Sequence, residues 1–290
     1  MSGEKEPAAG AERPGASVPA GARSALDTTV AHSARVHDYW LGGKDNFAAD
    51  RAAGDAVMEA YPGIVMSVRA NRAFLARVVR FLAAEAGIRQ FLDIGTGIPA
   101  SNNTHEVAQS VAPESRVVYV DYDPVVLTHA RALLTSSPEG VTNYIDADLR
   151  EPSKILHEAA RTLDFSQPVA VMLIAIMHLI VDADDPHRIV AELMAAVPPG
   201  SYLALSQVAS DIETEQVAEA RRRYNSLARE TQQHRSHAEV TRFFDGLDLV
   251  PPFAGARAEV VHLGLWGCED PRLADNESSR WGYCGVARIH

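Results

Sequence analysis

The chain has 290 residues, of which 47% are hydrophobic and 22% charged, a composition typical of a soluble globular protein with a substantial core. Its formal net charge of −11 disfavours nucleic acid as a partner, because phosphate backbones are bound by basic patches. With two cysteines, no secretory signal and no apolar run near the roughly 20 residues of a membrane span, we expect a cytoplasmic protein that does not bind membranes.

The N-terminal third of the chain divides into two predicted regions. Residues 1–30 are rich in Ala, Gly, Pro and Glu, which predicts a disordered tail because few large apolar side chains are present to offset the entropy of ordering. Residues 31–90 show helical periodicity and predict a helical cap that contributes to a pocket. Asn46 is the predicted N-cap of its second helix, and three helices are expected, at about 35–41, 47–60 and from 67 onward.

Between residues 91 and 290, apolar strands alternate with amphipathic helices. Strands are predicted at 91–94, 116–120, 141–145, 169–176, 201–206 and 281–289. Helices are predicted between them at 104–111, 124–135, 154–163, 186–196 and 213–230. This alternation implies a parallel sheet with right-handed crossovers, so we expect a doubly wound Rossmann-like α/β domain.

The first predicted strand ends in a glycine loop, within the segment QFLDIGTGIPASNN at residues 90–103. Gly95 and Gly97 would let the backbone turn tightly and let a ligand approach it closely. The loop fits the dinucleotide pattern G-x-G-x-x-[G/A] and the Asp-x-Gly-x-Gly pattern of S-adenosylmethionine sites equally well. The loop by itself therefore does not distinguish an enzyme of hydride transfer from an enzyme of methyl transfer.

Acidic residues at successive strand ends favour the second cofactor. Asp121 ends the second strand, where a carboxylate accepts hydrogen bonds from ribose hydroxyls; the alternative role, capping the following helix, is expected of Asp123. Asp93 before the loop suits a cationic amino-acid tail and would repel a pyrophosphate. Asp146 and Asp148, after the third strand, offer acceptors to an adenine amino group. We therefore expect S-adenosylmethionine as the cofactor.

Motifs along most of the chain carry a resemblance to one family. They are ARVHDYWLGGKDNFAADR at 34–51, NRAFL at 71–75, FLDIGTGIP at 91–99, VVYVDYDPVVLTHARALL at 117–134, DADLREP at 146–152, IAIMHLIVDADDP at 174–186 and GYCGVARI at 282–289. With them the chain resembles a class I S-adenosylmethionine-dependent methyltransferase. More narrowly, it resembles a bacterial family once catalogued as a domain of unknown function and later labelled S-adenosylmethionine methyltransferase. Pro99 stands where many methyltransferases carry a third glycine.

The resemblance implies that the strand ends hold the cofactor in three parts. The residues implied, from its methionine tail through its ribose to its adenine, are Asp93, Gly95 and Gly97, then Asp121, then Asp148 with Leu149. Tyr122, directly after Asp121, and Asn46, a polar residue in the loop between the first two predicted helices, complete the cofactor-binding candidates. The N-terminal helices would close over the cofactor and form part of the acceptor pocket.

His178 is the candidate catalytic residue, because it follows the fourth strand, where class I enzymes often place residues near the methyl group. It would act as a general base if the nucleophile carries a proton. The alternative is a hydrogen-bonded histidine at a strand end. The acids and histidine that follow it favour an acidic helix start over a metal site, so no metal is predicted; they are Asp182, Asp184, Asp185 and His187.

The expected function is methyl transfer to a small-molecule acceptor whose identity the sequence does not reveal. A protein that binds S-adenosylmethionine or its demethylated product without turnover is a second hypothesis. An NAD-linked oxidoreductase is a third, although the chain has no Tyr-x-x-x-Lys pair. The sequence predicts no oligomeric state.

Overall fold

The computed structural model describes residues 26–133, 136–212 and 214–290, and it confirms the doubly wound α/β fold. The strands are β1 Gln90–Ile94, β2 Arg116–Asp121, β3 Val141–Asp146, β4 Ala170–Leu173, β5 Tyr202–Val208, β6 Asp248–Leu249, β7 Val261–His262 and β8 Gly282–Arg288. They form one sheet in the order β3-β2-β1-β4-β5-β8-β6, and β7 pairs with another part of β8.

The strand order places a crevice beside β1. Strands β1 to β5 run parallel, and β8 is antiparallel between β5 and β6. Because β2 and β4 lie on opposite sides of β1, the connections after β1 and β4 leave in opposite directions and open a space at the carboxyl ends of the strands. All five residues of β1 are buried, since helices cover both faces of this parallel sheet.

The helices follow the predicted order. They are α1 Ser33–Leu41, α2 Ala48–Ala60, α3 Ile64–Ala84, α4 Thr104–Val111, α5 Pro124–Leu133, α6 Pro152–Ala159, α7 Pro186–Ala195, α8 Glu215–Leu227, α9 His237–Thr241 and α10 Pro271–Ala274. Residues 1–25 of the predicted tail, residues 134–135 of the helix predicted at 124–135, and residue 213 lie outside the described residues. Within the described part of the chain, no helix is both long and apolar enough to cross a membrane.

The N-terminal helices pack in two different places. The apolar stripe of α3, including Phe74 and Val78, lies in the same buried cluster as Phe91 of β1, so α3 is one of the layers that cover the sheet. Helices α1 and α2 instead form a separate cluster with α8, to which Trp40 and Tyr224 belong. The part of the region that stands away from the sheet is therefore formed by α1 and α2.

The predicted N-cap of α2 is wrong. Phe47 occupies that position, and its amide donates to the carboxylate of Asp50, three residues on, at 2.8 Å. The Asn46 side chain donates instead to Asp38 Oδ2 at 2.8 Å. The buried Asp50 carboxylate in the first turn thus binds the amide of the N-cap residue, as the acidic side chain of a capping box does.

Strand β4 is shorter than the predicted 169–176, and this difference shapes the crevice. Ala175 has a φ of 55°, in the left-handed region, and its amide donates to Ser206 Oγ at 2.9 Å instead of continuing the ladder. A short 3₁₀ helix, Met177–Leu179, follows. The chain therefore leaves the sheet directly after Leu173 and turns across the carboxyl end of β4.

Candidate active site

A cleft lies beyond the carboxyl ends of the strands. The loops after β1, β2, β3 and β4 line it together with the start of α1, part of α3 and the segment after α8. Of the predicted cofactor residues, those that line the cleft are Asp93, Gly95, Gly97, Asp121, Tyr122, Asp148 and Leu149. Two predicted site residues do not line it, Asn46 and His178.

The glycine loop is held by the end of β2. Gly95 and Gly97 have φ values of 76° and 65°, which residues other than glycine rarely adopt. The Gly95 amide donates to the carbonyl of Val120 at 2.8 Å, and the Gly97 amide donates to Asp121 Oδ2 at 2.9 Å. A Cβ atom on Gly95 would lie 2.5 Å from Cγ1 of Ile176, which belongs to the segment after β4. The loop after β1 and the segment after β4 are therefore in close contact.

We expect Gly95→Ala to lower the free energy of unfolding and to weaken cofactor binding, because the new methyl group meets both the positive φ and the Ile176 side chain. The matched control is Gly255→Ala, since Gly255 has a φ of 82° and open space around it. Overpacking should add about 1–3 kcal/mol to the cost of Gly95→Ala relative to the control. Chemical denaturation of both variants measures the difference, and equal losses would show that the contact with Ile176 has no effect.

Asp121 is a structural as well as a candidate binding residue. Its Oδ1 accepts the amides of Tyr122 and Asp123 at 2.8 and 3.0 Å, while Oδ2 accepts the Gly97 amide. Burial raises the pKa of this carboxyl, and the amide donors act in the opposite direction. A carboxylate has about four acceptor positions, so roughly one, on Oδ2, remains for a ligand. As expected, Asp123 accepts the Val125 amide at the start of α5 at 2.8 Å.

Asp93 lies at the end of β1 and is 4% exposed. Its Oδ2 accepts a hydrogen bond from the Thr104 hydroxyl at 2.6 Å, and Arg72 of α3 is the neighbouring cation. Burial raises the pKa of Asp93 to about 6, although Thr104 and Arg72 both favour the charged form. Arg72 also lines the cleft and is anchored to Asn103 Oδ1 at 2.8 Å. The cleft thus contains a buried carboxylate beside a fixed guanidinium.

The loop after β3 contributes one acidic side chain to the cleft. Asp148 lines the cleft, and its carboxylate accepts the amide of Arg150 at 2.9 Å. The Arg150 guanidinium lies 3.2 Å from Asp148 and 2.8 Å from Asp184. Asp146, the other acid that the sequence offered, is exposed at the end of β3. The arginine therefore fixes the direction of the Asp148 carboxylate.

A buried ionic network that the sequence did not predict joins α1 to the rest of the cleft. The His32 ring lies between two carboxylates, with Nδ1 2.9 Å from Asp123 and Nε2 3.0 Å from Glu230. Tyr122 donates its hydroxyl to Glu230 at 2.6 Å, and Arg35 lies 3.2 Å from Asp123. Burial by itself lowers the pKa of His32, but the neighbouring carboxylates of Asp123 and Glu230 outweigh burial and raise it to about 10. His32 is therefore a buried imidazolium that binds the start of α1 to β2 and to the segment after α8.

His178, the candidate base, is 1% exposed and lies at a different cavity. Ile176 lines the cleft, whereas His178, two residues later, lines a second and much smaller cavity between α1, α2, α3 and α8. Burial lowers the pKa of His178 well below its usual value, so the ring is neutral near pH 7. The side chain of His37 lines both cavities.

The segment that separates the two cavities is held by Arg235, which is 2% exposed. Its guanidinium donates to the carbonyls of Met177 and Ile180 at 2.8 and 2.7 Å and to Asp182 at 2.9 Å. Nothing in the local sequence marks this arginine, because its partners lie more than fifty residues away.

The acids after His178 have structural partners. Asp185 accepts the Arg188 amide at the start of α7 at 3.3 Å, while Asp184 binds Arg150. His187 stacks on Phe243 with ring centroids 4.5 Å apart. Among residues 26–133, 136–212 and 214–290, no group of three or more His, Cys, Asp or Glu side chains is placed to hold a metal ion.

The family of this chain follows from its match to a family profile. The profile of the S-adenosyl methyltransferase family matches residues 19–290. The chain belongs to this family. The resemblance seen in the sequence motifs is thereby confirmed, and the protein is an S-adenosylmethionine-dependent methyltransferase.

Two solved structures are similar to this methyltransferase over most of its length. A DUF574 family protein from Streptomyces avermitilis MA-4680 is 47% identical, with 91% of this chain and 99% of that chain covered and a TM-score of 0.84. A putative methyltransferase from Thermobifida fusca YX is 41% identical, with 91% and 96% covered and a TM-score of 0.81. None of the curated proteins that were compared matches the chain.

S-adenosylmethionine is the cofactor of this methyltransferase, as predicted, and the cleft fits it. The Gly95 and Gly97 amides, which a pyrophosphate would need as donors, are already bound by Val120 and Asp121. The buried carboxylate of Asp93 would repel a phosphate and favours an ammonium group. These residues support a sulfonium cofactor with an amino-acid tail and do not support NAD.

Proposed function

We propose that the protein transfers a methyl group from S-adenosylmethionine to a small-molecule acceptor. The observation that carries this proposal is the enclosure of the cleft, since α1, α3 and the segment after α8 line it together with the loops that follow the strands. An acceptor has to enter between these elements to reach the methyl group, which suits a small molecule. Methyl donor and acceptor would thus share the cleft.

The methionine tail is assigned to the end of β1. The Asp93 carboxylate would accept hydrogen bonds from the tail's ammonium group, and Arg72 would pair with its carboxylate, because these two side chains lie together in the cleft. Gly95 and Gly97 would give the tail close access to the backbone. Arg72 lies in the NRAFL motif but was not predicted as a cofactor residue, since its helix is far from the glycine loop along the chain.

The adenosine is assigned to the ends of β2 and β3. Asp121 would accept a ribose hydroxyl at the free position on Oδ2, and the Tyr122 ring, fixed by its bond to Glu230, would pack against the adenosine. Asp148 would accept from the adenine amino group, beside Leu149. Asn46 acts indirectly in this proposal, because it orients Asp38, which lines the cleft.

The residues of this chain would promote methyl transfer mainly by positioning the methyl donor relative to the acceptor. When bound, S-adenosylmethionine supplies an electrophilic methyl group on a sulfonium centre. The residues of the cleft then hold the donor in one orientation, so that the acceptor atom can approach in line, and such alignment alone supplies a large rate enhancement. The carboxylates along the cleft also favour a cationic ligand over a neutral one.

Titration calorimetry of the purified protein tests the assigned cofactor. We expect S-adenosylmethionine and S-adenosylhomocysteine to bind at one site per chain and NAD to give no heat. Binding of NAD without binding of either S-adenosyl compound would contradict the proposal.

Transfer of a labelled methyl group tests the class of acceptor. The protein is incubated with methyl-labelled S-adenosylmethionine and with separated low-mass, protein and nucleic-acid fractions of a bacterial lysate. We expect the label in the low-mass fraction. Label that appears only in protein or nucleic acid would contradict a small-molecule acceptor and leave methyl transfer itself intact.

A further inference from the structure

Asn71 of α3 presents an unused hydrogen-bond donor to the cleft. The residue is 8% exposed, and its Oδ1 atom accepts a hydrogen bond from the Ser206 hydroxyl at 2.7 Å. Its Nδ2 atom has no hydrogen-bond partner among the described residues and is not sealed from solvent. Because Asn71 lines the cleft, this amino group opens into it. A buried amide with one end bound and the other end free calls for an explanation.

The end of β4 fixes the orientation of Asn71. Ser206 Oγ accepts the amide of Ala175 at 2.9 Å and donates its own proton to Asn71. Ala175 lines the cleft with a φ of 55°, a conformation that is uncommon for residues other than glycine and is often found at functional sites. The free donor of Asn71 is therefore held beside the segment after β4 in one orientation.

His37 of α1 presents a hydrogen-bond acceptor to the same cleft. The ring lines the cleft, and the carbonyl of Ser33, one turn earlier, accepts a hydrogen bond from it. Burial lowers the pKa of His37 to about 4, so the ring is neutral near pH 7. When the N–H of a neutral imidazole is bound in this way, the other nitrogen is an acceptor.

The packing of α1 on α3 brings these two side chains to one side of the cleft. Val68, one turn before Asn71, belongs to the same buried cluster as Val36 and Trp40, which flank His37. Apolar side chains line the cleft around them, namely Leu41, Val68, Leu75, Ile174, Ile176 and Leu179. This side of the cleft thus combines apolar walls with a donor and an acceptor, as small-molecule sites typically do.

The Asp38 carboxylate, on the same face of α1, is directed at its own loop. Its Oδ2 atom accepts the Asp45 amide at 2.9 Å and the Asn46 amino group at 2.8 Å. Its Oδ1 atom lies where a Cβ atom on Gly43 would lie. Because this carboxylate is used within the loop, α1 favours an uncharged acceptor over a cationic one.

We propose that Asn71 and His37 bind the acceptor atom of the substrate, and that this atom is the oxygen of an uncharged hydroxyl compound. Asn71 would donate to one lone pair of the oxygen and His37 would accept its proton, which leaves the second lone pair for the methyl group. An amine nitrogen has a single lone pair, which the Asn71 donor would occupy. This inference rests on the proposed methyl transfer and names the substrate class for it.

The step balances without another reactant. The hydroxyl oxygen forms a bond to the methyl carbon while the bond from that carbon to sulfur breaks, and the electron pair of the broken bond stays on sulfur. The hydroxyl proton passes to the free nitrogen of His37 and then to solvent. A weakly basic imidazole suffices, because an oxygen that is gaining a methyl group becomes strongly acidic.

The methylated product tests the substrate class. The protein is incubated with S-adenosylmethionine that carries a ¹³C-labelled methyl group and with the protein-free low-mass fraction of a bacterial lysate. The ¹³C chemical shift of the transferred methyl group then separates attachment to oxygen from attachment to nitrogen, carbon or sulfur. We expect a methyl group on oxygen.

The possible failures of this experiment are distinguishable. Methyl groups found only on nitrogen, carbon or sulfur would overturn the inference and leave the proposed methyl transfer intact. If no low-mass compound were methylated, the proposed function would be contradicted, and the inference with it.

Asn71→Asp tests the donor. The variant keeps the oxygen that Ser206 binds and exchanges the amino group for a second oxygen. We expect methyl transfer to the low-mass fraction to fall at least tenfold, while the affinity for S-adenosylhomocysteine stays within twofold of wild type. The matched control is Asn143→Asp, the same exchange at an exposed position on β3, which should change neither. A parallel loss of S-adenosylhomocysteine affinity would assign Asn71 to the cofactor, and an unchanged rate would show that it does not touch the acceptor; either result overturns the inference.

His37→Gln separates proton transfer from binding. Glutamine can donate to the Ser33 carbonyl and accept from a hydroxyl, but it does not take up a proton. Rates are measured over a dilution series of the low-mass fraction. We expect the rate at saturation to fall at least tenfold, with little change in the dilution that gives half the maximal rate. His129→Gln, near the surface, should behave as wild type. An unchanged rate at saturation in His37→Gln would show that His37 does not accept the proton and would overturn its role.

Discussion

We expect Asp121→Asn to weaken binding of S-adenosylmethionine by about 1–3 kcal/mol, because a charged acceptor is lost from the cleft. The substitution also affects the loop. Three backbone amides donate to the carboxylate, from Gly97, Tyr122 and Asp123. An asparagine has one carbonyl oxygen, so its amino group would face at least one of these donors. The variant should therefore also have a lower free energy of unfolding without cofactor.

The sheet offers a matched control for this variant. Asp146 is the register partner of Asp121 on β3, but it is exposed. Asp146→Asn should therefore leave cofactor affinity and unfolding close to wild type. Titration calorimetry and urea denaturation are measured for both variants. If Asp121→Asn bound the cofactor with wild-type affinity, Asp121 would not be a cofactor ligand. If it unfolded at the wild-type urea midpoint, the negative charge would not be needed to bind the three backbone amides.

His32→Ala is expected to cost about 3–5 kcal/mol of unfolding free energy, because it leaves two buried carboxylates without their shared cation. Those carboxylates belong to Asp123 and Glu230, which the imidazolium holds at 2.9 and 3.0 Å. The matched control is His129→Ala, since His129 pairs with Asp45 near the surface and such pairs contribute little. Thermal or urea unfolding of both variants measures the effect. Equal, small losses would show that the buried network contributes little to stability.

The same network gives a pH dependence with a definite sign. The pKa of His32 is raised from 6.5 to about 10, so its stabilising effect is complete below pH 6.5 and is lost as the pH rises through 10. The difference in stability between wild type and His32→Ala should therefore narrow between pH 7 and pH 10. A difference that stays constant over this range would show that His32 is not held as an imidazolium.

Local signals in the sequence predicted the parts of the site that the sheet itself builds. Apolar runs ending in Asp93 and Asp121 marked two neighbouring strand ends, and the parallel fold brings such ends together. The roles of these side chains as cofactor ligands remain predictions. The sequence also predicted that Asp123 would bind the start of α5, because an acid directly before a helix that begins with proline is a common N-cap.

What the sequence could not predict depends on contacts between distant segments. Ser33 donates its amide to Glu230, 197 residues away, and the His32 network follows from this contact between α1 and the segment after α8. Such pairs leave no periodic signal in either segment. The position of His178 could not be predicted either. Ala175 adopts a left-handed conformation that turns the chain after β4, and no local residue type indicates this turn.

Strand β8 gives the sheet an order of assembly during synthesis. Its residues, Gly282–Arg288, pair with β5 on one side and with β6 and β7 on the other. Before β8 is available, the sheet formed by β1 to β5 has an unpaired edge at β5. All seven residues of β5 are buried in the folded protein. An exposed edge of this kind readily pairs with other chains. A chain in which β8 has not yet paired therefore exposes the edge of β5.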